Sequence, residues 1–154
     1  ESARAAATAT PTKQRQLQFW MALIGYIDEH KIPVKPQKPS PQHWLNSNPL
    51  GRSGFHVTST VHSREQRIGA EIYISHQQSK EFFQKLLAQR PVIEKELGFE
   101  LEWMELPDSH ASRIVVFRPD SDLGNETAWP IYFGWLAGKL SGLSAVFRPR
   151  VKAL

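Results

Sequence analysis

The 154-residue sequence predicts an α+β domain: a four-stranded, mainly antiparallel sheet built of two β-hairpins, with three helices concentrated on one face, in the order α-β-β-α-β-β-α. Three observations carry that expectation. From Gly51 to Ile74 the stretch GRSGFHVTSTVHSREQRIGAEIYI alternates apolar and polar residues with a period of two. The segments before and after it repeat their apolar residues at helical spacing instead. Further on, FELEWMELP and SRIVVFRP read as a second pair of strands joined across Pro107 to Ala111.

Taking the elements in order, Thr12 is placed to cap a helix running to about His30, with Leu17, Trp20, Leu23, Ile24 and Ile27 on one stripe. The next segment, KIPVKPQKPSPQHWLNSNPLG, holds five prolines. They rule out a regular helix or a central strand, because proline lacks the N–H that either would use, so the segment should run extended over the surface with Trp44 as its large anchor. The hairpin then has a deducible register. With Ser63 to Gln66 as the turn, Phe55, Val57, Ser59 and Val61 share a face with Ile68, Ala70, Ile72 and Ile74, and a one-residue slip would expose every aliphatic residue. The opposite face places His62 beside Arg67, Thr60 beside Gly69, Thr58 beside Glu71 and His56 beside Tyr73. Ser79 can cap a second helix reaching Leu97, with Gly98 as its stop and Pro91 kinking or splitting it; Phe82, Phe83, Leu86, Leu87, Val92, Ile93 and Leu97 form its buried side. The last helix should begin near Asn125, carry Trp135, Leu136, Leu140, Leu143 and Phe147, and end where FRPR interrupts it.

A chain of this length suits one domain, read as residues 12–154, with the small, polar residues 1–11 as the end of a linker from a longer polypeptide, since the sequence opens on Glu1. Cysteine is absent, which excludes disulfides, thiolate metal sites and cysteine nucleophiles and fits a reducing, cytoplasmic compartment. The longest apolar run, Trp20 to Ile27, is far short of the roughly 20 residues a membrane-crossing helix needs, so no membrane partner is expected. Charge is distributed unevenly: no acidic residue occurs between His30 and Arg64, while Lys31, Lys35, Lys38, Arg52 and Arg64 are basic. An anionic partner, DNA before RNA, suits this segment as well as a solvated loop does.

Catalytic signatures are lacking. Gly51-Arg52-Ser53-Gly54 precedes a strand and has not the spacing of a nucleophile elbow, although its amides and Arg52 could cradle a phosphate. Its Glu-x-Lys, Glu29-His30-Lys31, ends a helix, and Asp108 follows rather than precedes it, so a restriction-type magnesium site is not spelled out. His56 and His62, six residues apart on one strand, stand about 20 Å from each other, too far for one metal ion. Neither metal nor cofactor is expected. The tail Phe147-Arg148-Pro149-Arg150-Val151-Lys152 suits either a helix C-terminus or phosphate contact.

These residues carry a resemblance. Thr12 to Arg15 with Phe19-Trp20, Lys38-Pro39, Pro41 to Trp44, Gly51 to His56, Arg67-Ile68-Gly69 with Glu71 and Tyr73, Glu96 to Gly98, Leu101 to Trp103, Ser112 to Ile114 and the closing FRPRVKAL all take part. Over residues 12–154 the chain resembles an uncharacterised bacterial and archaeal domain-of-unknown-function family, often found C-terminal to restriction-endonuclease-like domains. The resemblance implies a prokaryotic protein whose chemistry resides in a linked N-terminal domain; it carries no catalytic residues across. The expected role is a noncatalytic accessory domain that helps a linked nuclease engage DNA. Candidate nucleic-acid contacts are Lys35, Lys38, Arg52, Ser53, Gly54, His56, Arg64 and Arg67, with Thr58, Thr60, His62, Glu71 and Tyr73 forming the open sheet face. Two alternatives stand beside it: an interaction module that docks on its own N-terminal domain or on a second copy, and a metal-dependent nuclease built on the Glu71 region.

Overall fold

In the computed structural model, residues 9–154 are described; most of the expected linker lies outside them. The chain forms α1 (Pro11–Glu29), β1 (Trp44–Pro49), β2 (Phe55–His62), β3 (Arg67–Ser75), α2 (Ser79–Leu87), α3 (Arg90–Leu97), β4 (Glu102–Met104), β5 (Ala111–Arg118) and, after a 3-10 turn at Glu126–Ala128, α4 (Trp129–Lys152). The sheet has five strands in the order β1-β2-β3-β5-β4, every neighbouring pair antiparallel. This corrects the expected four strands and three helices. The fifth strand is β1, from the proline-rich segment. It pairs with the otherwise free edge of β2, breaks register between Asn46 and Pro49, and ends in proline, which an outer strand tolerates because its N–H side need not be paired. The fourth helix arises because the second divides before Pro91, which occupies the opening turn of α3, where a missing N–H costs nothing.

The central hairpin pairs as its alternation demands, from Phe55 opposite Ile74 to His62 opposite Arg67. Its apolar face is sealed: Phe55, Val57, Val61, Ile68, Ala70, Ile72 and Ile74 are buried together with Ile114 of β5. Against them pack Phe82, Phe83 and Leu86 of α2 and Leu136, Leu140, Leu143 and Phe147 of α4, and the Phe19, Trp20, Leu23 stripe of α1, in contact with α4, joins the same core. At roughly 25 cal/mol per Å² of apolar surface, this helical layer is the main source of stability and leaves the other sheet face uncovered by helices.

Local signals explain most boundaries. Thr10, two residues before the expected cap, accepts from the Lys13 amide at 3.3 Å and Pro11 opens α1. Ser79 does not cap α2; its hydroxyl donates to the His110 carbonyl at 2.7 Å. Gly98 ends α3 with φ +85°, a left-handed conformation that suits glycine. Val92, expected in the core, is 55% exposed, because the division before Pro91 turns that residue outward. Pro149 does not stop α4. It removes a single N–H near the helix end, while buried Phe147 and Val151 anchor the turn on either side and Arg150 pairs with Glu96 at 2.7 Å. Among the described residues no helix is long and apolar enough to cross a membrane.

Candidate nucleic-acid interface

Because antiparallel strands bring side chains into rows, the uncovered face can be read across the sheet. One row runs Asn46, Thr58, Glu71, Val115 and Glu102 through all five strands; flanking rows are Trp44, Thr60, Gly69, Phe117 and His56, Tyr73, Arg113, Met104. The face is recessed rather than flat. His43, Trp44, Asn46, Thr58, Thr60, His62, Glu71, Tyr73 and Arg113 surround a hollow of about 410 Å³. Thr58, Thr60 and Glu71 form a buried floor, while Trp44, 38% exposed, stands at its β1 wall. That wall is held from beneath: the Trp20 indole N–H donates to the Gln42 carbonyl at 2.8 Å and the Val61 amide to the His43 carbonyl at 2.9 Å.

The floor is electrostatically closed. Arg113 donates from Nε to Glu71 Oε2 at 2.9 Å and from Nη2 to Oε1 at 2.7 Å, a bidentate pair around a carboxylate side chain only 2% exposed. The bonds to Glu71, opposed by burial, hold the Arg113 guanidinium charged above its ordinary range. A metal at Glu71 would have to displace that guanidinium, and among the described residues no three acids or histidines are grouped to hold one. Next to the pair, Thr58 Oγ1 donates to Asn46 Oδ1 at 2.7 Å, and His62 Nε2 lies 3.0 Å from Thr60 Oγ1. Burial, together with the Arg67 and Arg113 charges, lowers the His62 pKa from 6.5 to about 4, so the imidazole is neutral at pH 7. Burial lowers that of His56 as well.

Arg67 closes the hairpin end of the face. Its guanidinium lies 3.6 Å from the centre of the Phe117 ring, its buried Nε has no hydrogen-bond partner, and it enters no salt bridge among the described residues. Phe117 fits beneath it because Gly69 has no side chain: a Cβ there would lie 2.7 Å from Thr60 Oγ1 and 3.1 Å from the Phe117 ring.

The structure gathers only part of the expected set here. Thr58, Thr60, His62, Glu71 and Tyr73 line the hollow, His56 lies beside it in the Tyr73 row, Arg67 sits at the rim and exposed Arg64 in the adjoining turn. Arg52 goes elsewhere. Its Nε donates to the Val151 carbonyl at 3.1 Å, another N–H donates to the Leu154 carbonyl, and the guanidinium covers the Phe82 ring, so Arg52 caps the end of α4. It precedes the far end of β2, about 23 Å from Arg67 along the strand. Gly54 serves the same corner: with φ +87° its carbonyl accepts from the Ser75 amide at 2.8 Å, and Ser53 beside it is exposed. Lys38 is exposed, and Lys35 lines a separate recess with Arg148 and Ser47. Sequence reasoning missed His43, Asn46 and Arg113 as members of the site, and Trp44, expected to anchor its segment on the domain, instead stands 38% exposed in the lining of the hollow. Arg113 faces Glu71 and Tyr73 only because β5 inserts between β3 and β4, a pairing between strands not adjacent in sequence; for His43 and Asn46 the missing step was the strand β1 itself.

A family model described as Domain of unknown function (DUF4268) matches residues 15–151, which takes in every strand and every residue of the hollow. The chain belongs to this family. The match thus extends over most of α1, both short helices, the five strands and nearly all of α4. No curated protein and no solved structure matches the chain.

Proposed function

We propose that this DUF4268 domain is a noncatalytic recognition module that binds nucleic acid through its uncovered sheet face, assisting a linked nuclease-like domain on DNA in a prokaryotic cytoplasm. The observation that carries this reading is the pairing of a charge-neutralised polar hollow with an arginine, Arg67, that lies over Phe117 at its rim and enters no salt bridge among the described residues. With Glu71 neutralised by Arg113, the floor of the hollow does not repel phosphates, and the acid-free stretch from Lys31 to Arg64 supplies Lys38, His43 and Arg64 around β1 and the turn. Phosphate contacts from such groups supply affinity and its salt dependence. Arg52 leaves the contact set, because its guanidinium is committed to the end of α4.

The experiment is a titration of the 154-residue chain with duplex DNA, single-stranded DNA and RNA at low and near-physiological salt. Binding that falls steeply with salt, with a slope reduced by about one in Arg67→Ala, supports the reading. Absence of binding at low salt overturns it.

A further inference from the structure

We infer that the hollow takes one unpaired nucleobase, so that the domain selects single-stranded or locally opened nucleic acid over continuous duplex; this rests on the nucleic-acid reading above and names its ligand class. Four features converge on it. The hollow, about 410 Å³, falls in the lower part of the roughly 300–1,000 Å³ range of small-molecule sites, a scale that suits a compact ligand rather than a groove fitted to a helix. Trp44 and Tyr73 contribute aromatic surface to its lining, and stacking on such rings is how unpaired bases are held irrespective of sequence. The floor presents both polarities. Asn46 Oδ1 is occupied by the Thr58 hydroxyl, which leaves the Asn46 amide N–H groups as donors and the Thr58 oxygen as an acceptor, the complement of a base edge. Finally, the hollow suits a ligand that is uncharged at its buried end and anionic at its outer end: Glu71 and Arg113 cancel inside, and Arg67, which enters no salt bridge among the described residues, stands at the rim. A base with its phosphate has that distribution. In a duplex the base edges and faces are stacked and paired, so only a splayed base can enter.

The test compares three labelled probes of about twelve nucleotides, within the range of single-strand site sizes: an oligothymidine strand, an abasic strand of equal length, and a duplex. Affinities are read by fluorescence anisotropy for the 154-residue chain, Trp44→Ala and Trp44→Phe, with circular dichroism confirming that each variant folds. The base-bearing strand should bind tightest, and the abasic strand roughly 5- to 150-fold more weakly, the factor that loss of one stacked base implies. Trp44→Ala should bring the two strands to one affinity without altering the salt slope, and Trp44→Phe should restore the preference. Salt-dependent binding with equal affinity for base-bearing and abasic strands, or tightest binding to duplex, overturns the base-pocket inference and leaves the nucleic-acid reading standing. No binding to any probe overturns both.

Discussion

Replacing Arg113 by leucine would leave the Glu71 carboxylate buried without its partner. Both carboxylate oxygens lose their donors, and the side chain is only 2% exposed, so water cannot take their place. Removing one member of a buried pair costs about 3–5 kcal/mol, and because Arg113 is itself 25% exposed the expected loss lies at the lower end, about 3 kcal/mol. For a chain of this size each kcal/mol shifts the melting temperature by about 2–4 °C, so the variant should melt about 6–12 °C lower. Urea unfolding followed by circular dichroism should show a lower midpoint with an unchanged slope. Pairing the change with Glu71→Met removes the stranded charge and should recover most of the loss, since apolar replacement of a whole buried pair is often neutral or stabilising. A loss below about 1 kcal/mol would mean that the pair behaves as a solvated surface bridge, and a double variant no better than Arg113→Leu would assign the loss to the arginine stem.

The pH profile of stability should bear the mark of His62. Its folded pKa, about 4, lies below the ordinary 6.5, so the unfolded chain takes up a proton first on acidification; stability is full above about pH 6.5 and is lost as the pH falls toward 4. After a discount for solvent screening of this half-exposed ring the amplitude is on the order of 1 kcal/mol, and His62→Gln should flatten that part of the profile in denaturation curves. Arg52→Ala should separate stability from binding: loss of charge-assisted bonds to the end of α4 costs about 1.5–3 kcal/mol, while the salt slope for DNA stays that of the unmodified chain. Gly54→Ala should destabilise by about 2 kcal/mol or more in the same assay, since φ is +87° and the new Cβ would lie 2.5 Å from the Ser75 carbonyl oxygen.

Legibility followed the range of the interactions. The β2–β3 hairpin was readable residue by residue because its own alternation specifies both register and turn, and the helical stripes of α1 and α4 were readable for the same local reason. β1 was not, since WLNSNP has no strand pattern of its own and acquires strand structure by completing the exposed edge of β2. Pro149 misled because its cost is set by position, and near a helix end one missing N–H is offset by the burial of Phe147 and Val151. Of the site, the half on β2 and β3 was visible as a polar face. Arg113 was hidden behind strand order, and Arg52, which sequence places among the phosphate contacts, turned out to face a helix terminus no local pattern reveals.

The order β1-β2-β3-β5-β4 sets a seam through the sheet between β3 and β5: β1, β2 and β3 lie on one side of it, and β5 with β4 on the other. The ion pair under the hollow crosses that seam, joining residues 42 positions apart. The hairpin carries the floor residues Thr58, Thr60 and Glu71, but Glu71 has no partner and the hollow is incomplete until β5, delivered after both short helices and β4, docks against β3. Trp44 fluorescence quenched by a bound base would therefore report completed folding as well as occupancy. In a refolding experiment, ligand capture should lag the hairpin's secondary-structure signal, and two fragments cut between Ser75 and Ser79 should regain the hollow only when mixed.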